Sequence, residues 1–166
     1  MKLLTASVAL LIGISTLACA AEWTEETARQ EAFKDIKRNI EVWEYPAYDP
    51  QFTENQAALQ QGGGKVADRF VSANPEPPVT YVVSKIGPGG PTITMFYAAD
   101  GRLMSVRIFS RAGYPRSAYA YCVADTLENN GKVYKPGELM SVSFHVAGNE
   151  MFYFDTEGKL TDHVKF

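Results

Sequence analysis

The hydrophobic pattern divides this chain into an apolar leader, a helical segment and a long region of strands. Residues 1–20 are nearly all apolar or small. From Thr24 to Trp43, apolar residues recur at steps of three and four, which predicts an amphipathic helix. From Val79 onward the period becomes two, which predicts β-strands. The pattern therefore indicates a helix followed by a sheet.

The predicted helix carries its own start and stop signals. Thr24 is a good N-cap, acidic residues follow it in the first turn, and Pro46 prevents the helix from continuing. Its apolar stripe consists of Ala28, Ala32, Phe33, Ile36, Ile40 and Trp43. A second, shorter helix is predicted from the capping-box pattern at 53–56 through Leu59.

The period-two region predicts an antiparallel meander, because its segments are joined by short turns. The clearest strands are Val79–Val83, Thr92–Tyr97, Leu103–Phe109, Ser117–Val123 and Leu139–Val146. Turns at 148–149 and 157–158 continue the meander to Phe166. Residues 62–78 are predicted to be the least structured part, and residues 128–137 read as turns.

These elements predict one α+β domain over residues 21–166. The N-terminal amphipathic helix packs on one face of a curved antiparallel meander of about six strands. Its apolar stripe is expected to cover a row of side chains on one strand: Met140, Val142, Phe144 and Val146. A small closed β-barrel is the alternative architecture.

The leader has the organisation of a secretory signal peptide. Lys2 gives the positive end, residues 3–14 form the apolar core, and cleavage is expected between Ala20 and Ala21. The run is shorter than the ~20 apolar residues that a membrane span needs, so no transmembrane segment is expected in the mature chain. We therefore expect the periplasm of a bacterial envelope or the extracellular space. The alternative is a lipid anchor at Cys19, although the leucine that lipoprotein signals require stands one position too late.

Composition narrows the possible partners and chemistry. A hydrophobic content of 46% and a charged content of 21% are typical of a globular domain. The net charge of −3 argues against nucleic acid as a partner. After cleavage Cys122 is the one cysteine left, so the mature chain has no internal disulfide.

No catalytic pattern stands out in the sequence, and no cofactor is predicted. Cys122 needs a neighbouring base to act as a nucleophile, and its position beside Ala118 and Ala120 predicts a buried thiol instead. His145 and His163 are two histidines without an identifiable third ligand, so no metal site is predicted.

Tyrosine and arginine supply the candidate binding residues, because together they provide contact area and hydrogen bonds. The candidates are Tyr119, Tyr121, Arg107 and His145. They predict a non-catalytic exported protein that binds a small ligand or an envelope protein through an open sheet face. The alternatives are a secreted hydrolase-like enzyme whose site assembles only in three dimensions, and a lipid-anchored envelope assembly factor.

Two stretches of the strand region resemble each other. Met95–Tyr97 precedes Gly101-Arg102-Leu103, and Met151–Tyr153 precedes Gly158-Lys159-Leu160. The pattern suits either an internal duplication or two hairpins with similar turns.

Overall fold

The computed structural model describes residues 22–34, 36, 44–75, 77–87, 90–129, 131–148 and 150–166. The helices in this part of the chain are α1 (Glu25–Lys34) and α2 (Phe52–Gln60). The strands, in chain order, are β1 (Gly64–Val66), β2 (Arg69–Ala73), β3 (Tyr81–Gly87), β4 (Gly90–Tyr97), β5 (Leu103–Phe109), β6 (Arg116–Cys122), β7 (Leu127–Asn129), β8 (Lys132–Tyr134), β9 (Leu139–Val146), β10 (Glu150–Phe154) and β11 (Leu160–Lys165).

The main sheet is an antiparallel meander of nine strands. Its order is β1-β2-β3-β4-β5-β6-β9-β10-β11, and β7 pairs with β8 in a separate hairpin inserted between β6 and β9. The coarse prediction of an antiparallel sheet with helices is confirmed. The expected count of about six strands is wrong, because residues 64–73 form the strands β1 and β2. The sheet is open at β1 and β11, so it is not the closed barrel considered as the alternative.

Both helices pack on the same face of the main sheet, which we call the covered face. Helix α1 lies against β6, β9 and β10, and α2 lies against β1 and β2. Together they bury the larger core, whose aromatic members are Tyr81, Tyr97, Tyr119, Tyr121, Phe144, Phe152 and Phe154. The opposite side, which we call the open face, carries neither helix.

Helix α1 begins at Glu25, directly after Thr24. Thr24 Oγ1 accepts a hydrogen bond from the Thr27 amide at 3.3 Å, which caps the first turn. Ala28 and Ala32 are fully buried, and the Phe33 ring meets the Phe154 ring edge-on at 6.0 Å. Ile36 packs against the same core but lies beyond the end of α1, and the last two residues of the predicted stripe, Ile40 and Trp43, lie outside the described residues.

A shift in pairing register corrects one predicted contact of the helix. Tyr119 pairs with Val142, whereas Tyr121 pairs with Leu139, so β9 has one extra residue opposite β6. Leu139 and Val142 therefore both join the covered-face core, while Met140 packs with the opposite cluster around Cys122. Alternation alone predicted Met140 beneath the helix, and the bulge places it on the open face.

A buried polar network joins α2 to the sheet. Arg69 Nε donates to Asn55 Oδ1 at 2.8 Å, and Arg69 Nη2 contacts Glu54 Oε2 at 2.8 Å. Asn55 Nδ2 and the Tyr81 hydroxyl each donate to Asp49 Oδ2 at 2.8 Å. Each side chain of this network has a polar partner, as low-dielectric surroundings demand.

No helix among the described residues is long and apolar enough to cross a membrane. The predicted signal peptide and its cleavage position at Ala20 and Ala21 fall outside the described residues.

Candidate ligand-binding cleft

Register places a row of four side chains across the middle of the open face. Arg107 pairs with Thr94 on one side and with Ala120 on the other, and Ala120 pairs with Ser141. Side chains of directly paired residues share a face of the sheet. The small side chain of Ala120 therefore leaves open space between the Arg107 guanidinium and the Ser141 hydroxyl.

A cleft of about 270 Å³ lies over one end of this row. The sheet forms its floor, and Asn74, residues 77–79 and strand β7 form its walls. The cleft is lined by Asn74, Pro77, Pro78, Val79, Phe96, Ser105, Arg107, Ala120, Leu127, Glu128, Asn129, Met140 and Ser141. The β7–β8 hairpin is held in place because Leu127 and Tyr134 pack into the smaller cluster with Met104 and Cys122.

Arg107 is the unusual residue of the cleft floor. It is partly buried, and it makes neither a hydrogen bond nor an ion pair with any residue that the structure describes. Its guanidinium carbon lies 5.4 Å from the centre of the Phe96 ring, a cation–π contact. Burial lowers the pKa of Arg107, although arginine remains protonated at any physiological pH. The cleft thus contains a positive charge without a counter-charge.

His145 lies on the same face, farther along β9. Its Nε2 is 2.8 Å from Ser143 Oγ, and its ring meets the Phe109 ring edge-on at 5.8 Å. Burial first, and then the charges of Arg107 and Arg116, lower the pKa of His145 to about 4. The imidazole is therefore neutral near pH 7.

Arg116 adds to the positive potential at this end of the face. It is 5% exposed, and its guanidinium carbon lies 4.3 Å from the Phe109 ring centre and 4.8 Å from that of Tyr114. It pairs across the sheet with His145, which explains part of the lowered pKa of that imidazole. Arg116 is enclosed by these rings, so of the two guanidinium groups only that of Arg107 lines the cleft.

The structure separates the four sequence-predicted binding residues. Arg107 and His145 lie on the open face, whereas Tyr119 and Tyr121 lie on the covered face and are fully buried. The Tyr119 hydroxyl donates to the carbonyl oxygen of Ala32 in α1 at 2.9 Å, and burial raises the pKa of Tyr121 to about 12. Tyr119 therefore anchors the helix, and neither tyrosine presents a surface to a ligand.

Sequence reasoning missed the residues that enclose the cleft. Pro78 and Leu127 are separated by almost fifty positions and come together only because strand β7 lies beside residues 77–79. Ser105 lies two residues before Arg107 on β5, whereas Ser141 is brought beside them only by strand pairing. The one signal in the sequence is the grouping of arginine and tyrosine in this part of the chain, which predicts Arg107 as a binding residue.

The described side chains that could act as nucleophile and base in a hydrolase-like enzyme have pKa values that do not suit these roles near pH 7. Cys122 is fully buried, burial raises its pKa to about 11, and its thiol donates to the carbonyl oxygens of Ala124 and Tyr134. A thiol in that state is a weak nucleophile. Ser143 and His145 are in contact, yet a base with a pKa of about 4 accepts a proton poorly near pH 7. In the described part of the chain, no carboxylate bonds the His145 ring, and no three metal-ligating side chains converge.

A larger cavity, of about 480 Å³, follows the outer side of α1 between Trp23 and Lys34. Its charged side chains include Glu31 and Lys34, whose carboxylate and ammonium lie 3.6 Å apart. Because these charges already compensate each other, this cavity presents a weaker recognition feature than the cleft around Arg107.

Comparison with protein-family models, curated proteins and solved structures found no match to this chain. The arguments for function therefore rest on the residues of the cleft.

Proposed function

We propose that this is an exported, non-catalytic binding protein that holds a small ligand in the cleft on its open sheet face. The observation that carries the proposal is the Arg107 guanidinium, which lines the cleft without an ion-pair partner among the described residues. A ligand that carries negative charge would supply the missing partner.

The energetic argument compares the empty and the occupied cleft. Taking a cation out of water without a partner costs free energy, and the Phe96 ring offsets only part of that cost. Charge-assisted hydrogen bonds from a guanidinium to an anion are among the stronger polar contacts in proteins. The cleft is therefore organised for a ligand before the ligand arrives, which reduces the entropy lost on binding.

Mapping by NMR tests where a small molecule binds. The purified protein is titrated with a set of small organic acids, amines and neutral analogues, and amide shifts are followed. We expect shifts that concentrate at Phe96, Arg107 and Ser141. The Ala120→Leu variant should abolish them by filling the floor of the cleft, and Ala147→Leu, at an exposed turn, should not. Shifts that persist in Ala120→Leu, or that never concentrate at the cleft, contradict the proposal.

The export half of the proposal is tested by the N-terminus of the protein recovered from a bacterial host. The expected first residue is Ala21, in the periplasmic or extracellular fraction. An acylated Cys19 would favour the lipid-anchored alternative. Recovery of an intact Met1 from the cytoplasm would overturn export.

A further inference from the structure

The cleft contains a group of polar side chains and a group of apolar ones. Arg107 and the hydroxyls of Ser105 and Ser141 belong to strands of the sheet floor. The walls carry the apolar group of Pro77, Pro78 and Leu127, besides the polar residues Asn74, Glu128 and Asn129. A ligand with one polar end and an apolar body can contact the polar group of the floor and the apolar group of the walls at the same time.

The charges around the cleft limit the ligand to a single negative charge. Among the described residues that line it, Arg107 is the one cation and Glu128 is the one acid. Glu128 is exposed at the edge of the cleft, where it repels a second negative charge on the ligand. An inorganic phosphate, which is divalent for much of its population at pH 7, is therefore a poor match. A carboxylate carries one charge, and its two oxygens fit the planar fork of the guanidinium.

The volume of the cleft limits the size of the whole ligand. One water molecule takes up about 30 Å³ in the liquid, and we use this volume for each non-hydrogen atom of the ligand. The cleft of about 270 Å³ then holds roughly nine non-hydrogen atoms. Benzoate and heptanoate both have that size.

We infer that the cleft binds an organic monocarboxylate of this size, with its carboxylate on Arg107 and its apolar body against Pro78 and Leu127. This inference rests on the proposed binding function and names its ligand class. Ser105 and Ser141 donate to the carboxylate oxygens, because Ser105 lies two residues before Arg107 on β5 and Ser141 pairs with Ala120, the neighbour of Arg107 in the row.

Calorimetric titration of the purified protein with benzoate, heptanoate, benzamide and inorganic phosphate tests the ligand class. Benzamide has the shape of benzoate without its charge. We expect at least one of the two acids to bind at least tenfold more tightly than benzamide and than phosphate. Phosphate binding more tightly than both acids, or benzamide binding as tightly as benzoate, overturns the carboxylate assignment while leaving a ligand site in the cleft.

Three variants connect that affinity to the named side chains. Arg107→Gln should weaken binding of the acids about 10- to 100-fold, and Arg107→Lys by less, since lysine retains the charge without the fork. Glu128→Gln should strengthen binding up to about threefold by removing the repulsion. Arg102→Gln makes the same change of charge outside the cleft and should leave affinity unchanged. Equal weakening by Arg102→Gln and Arg107→Gln contradicts the inference, and so does an absence of binding by either acid at millimolar concentration.

Discussion

The two faces of the sheet differ in whether an arginine in the sheet has polar partners. On the covered face, Arg69 is 5% exposed and has Asn55 and Glu54 within 2.8 Å of its guanidinium nitrogens. On the open face, Arg107 is partly buried and its guanidinium lies over the Phe96 ring. It has no hydrogen bond or ion pair with a described residue. The same side chain is compensated within the fold in one place and left uncompensated in the other.

This difference separates stability from recognition. A compensated charge is part of the folded structure, and its removal leaves other buried groups without partners. An uncompensated charge lowers stability where it stands, and that cost is recovered when a ligand of opposite charge binds. The covered face should therefore respond to substitution by unfolding, and the open face by losing binding.

The largest effect is expected for an aromatic residue compared across the two faces. Phe144 is 1% exposed on the covered face with the Trp23 ring 4.6 Å away, whereas Phe70 is 45% exposed on the row that contains Arg107. Phe144→Ala should lower the free energy of unfolding by about 4 kcal/mol, and Phe70→Ala by less than about 1 kcal/mol. Chemical denaturation measures both. Equal losses would show that the faces do not differ in packing.

The buried network should give the next largest loss. Arg69→Met leaves the fully buried Asn55 amide oxygen without its donor, which should cost about 2 kcal/mol in denaturation experiments. Glu54→Gln is the matched control, because the Glu54 side chain is 69% exposed and its pairing is worth about 0.5 kcal/mol. A loss from Glu54→Gln as large as that from Arg69→Met would assign the stability to the ion pair instead.

The same substitution at Arg107 should change stability in the other direction. Arg107→Met removes an uncompensated cation, so the free energy of unfolding should stay unchanged or rise by up to about 1 kcal/mol. Thermal and chemical denaturation of the ligand-free protein measure the change. Destabilisation by 2 kcal/mol or more would mean that Arg107 has a structural role and would remove the contrast with Arg69.

A further expected effect is a dependence of stability on pH. The pKa of His145 is about 4 in the fold and about 6.5 for a solvated histidine. Between these values the unfolded chain binds more protons, so the contribution of the neutral imidazole is complete above pH 6.5 and is lost as pH falls through 4. His145→Gln should therefore lose less stability than the parent protein between pH 6.5 and 4. Parallel pH profiles for the two proteins would show that the imidazole is not desolvated.

The meander was predictable because its strands alternate clearly and its turns are marked. The predicted bounds of β5 and β9 match the structure at both ends. Strand β2 was missed because it buries Arg69 and exposes Phe70, which reverses the usual pattern of hydrophobic burial. Strands β7 and β8 are three residues each, too short for a periodic signal among the turn residues around them.

The covered side of β6 was not predictable from the sequence. Tyr119 and Tyr121 alternate with Ala118, Ala120 and Cys122, and the sequence pattern predicts the tyrosine side as the open, ligand-binding face. In the structure every residue of β6 is buried, so the alternation is one of size and does not show which face is apolar. The large tyrosine side chains fill the space beneath α1, and the alanines leave space on the opposite face.

The two similar hairpins differ in which face they bury. Tyr97 lies in the covered-face core, whereas Tyr153 alternates with the core residues Phe152 and Phe154 and so points to the open face. In each hairpin the tyrosine hydroxyl contacts the methionine sulfur two residues earlier, at 3.4 and 3.5 Å. Copies of one ancestral hairpin are expected to bury equivalent side chains, so the likeness favours a common turn and strand composition over duplication.

The extra residue in β9 controls two regions at once. Unbroken pairing of the present sequence with β6 would turn one portion of β9 over, so that either Leu139 or Val142 and Phe144 would leave the covered-face core. Deleting Met140 would instead place Leu139 and Val142 two positions apart, so both would keep their face without a bulge. A chain shortened by this residue should therefore keep the packing under the helices and lose one side chain from the lining of the cleft.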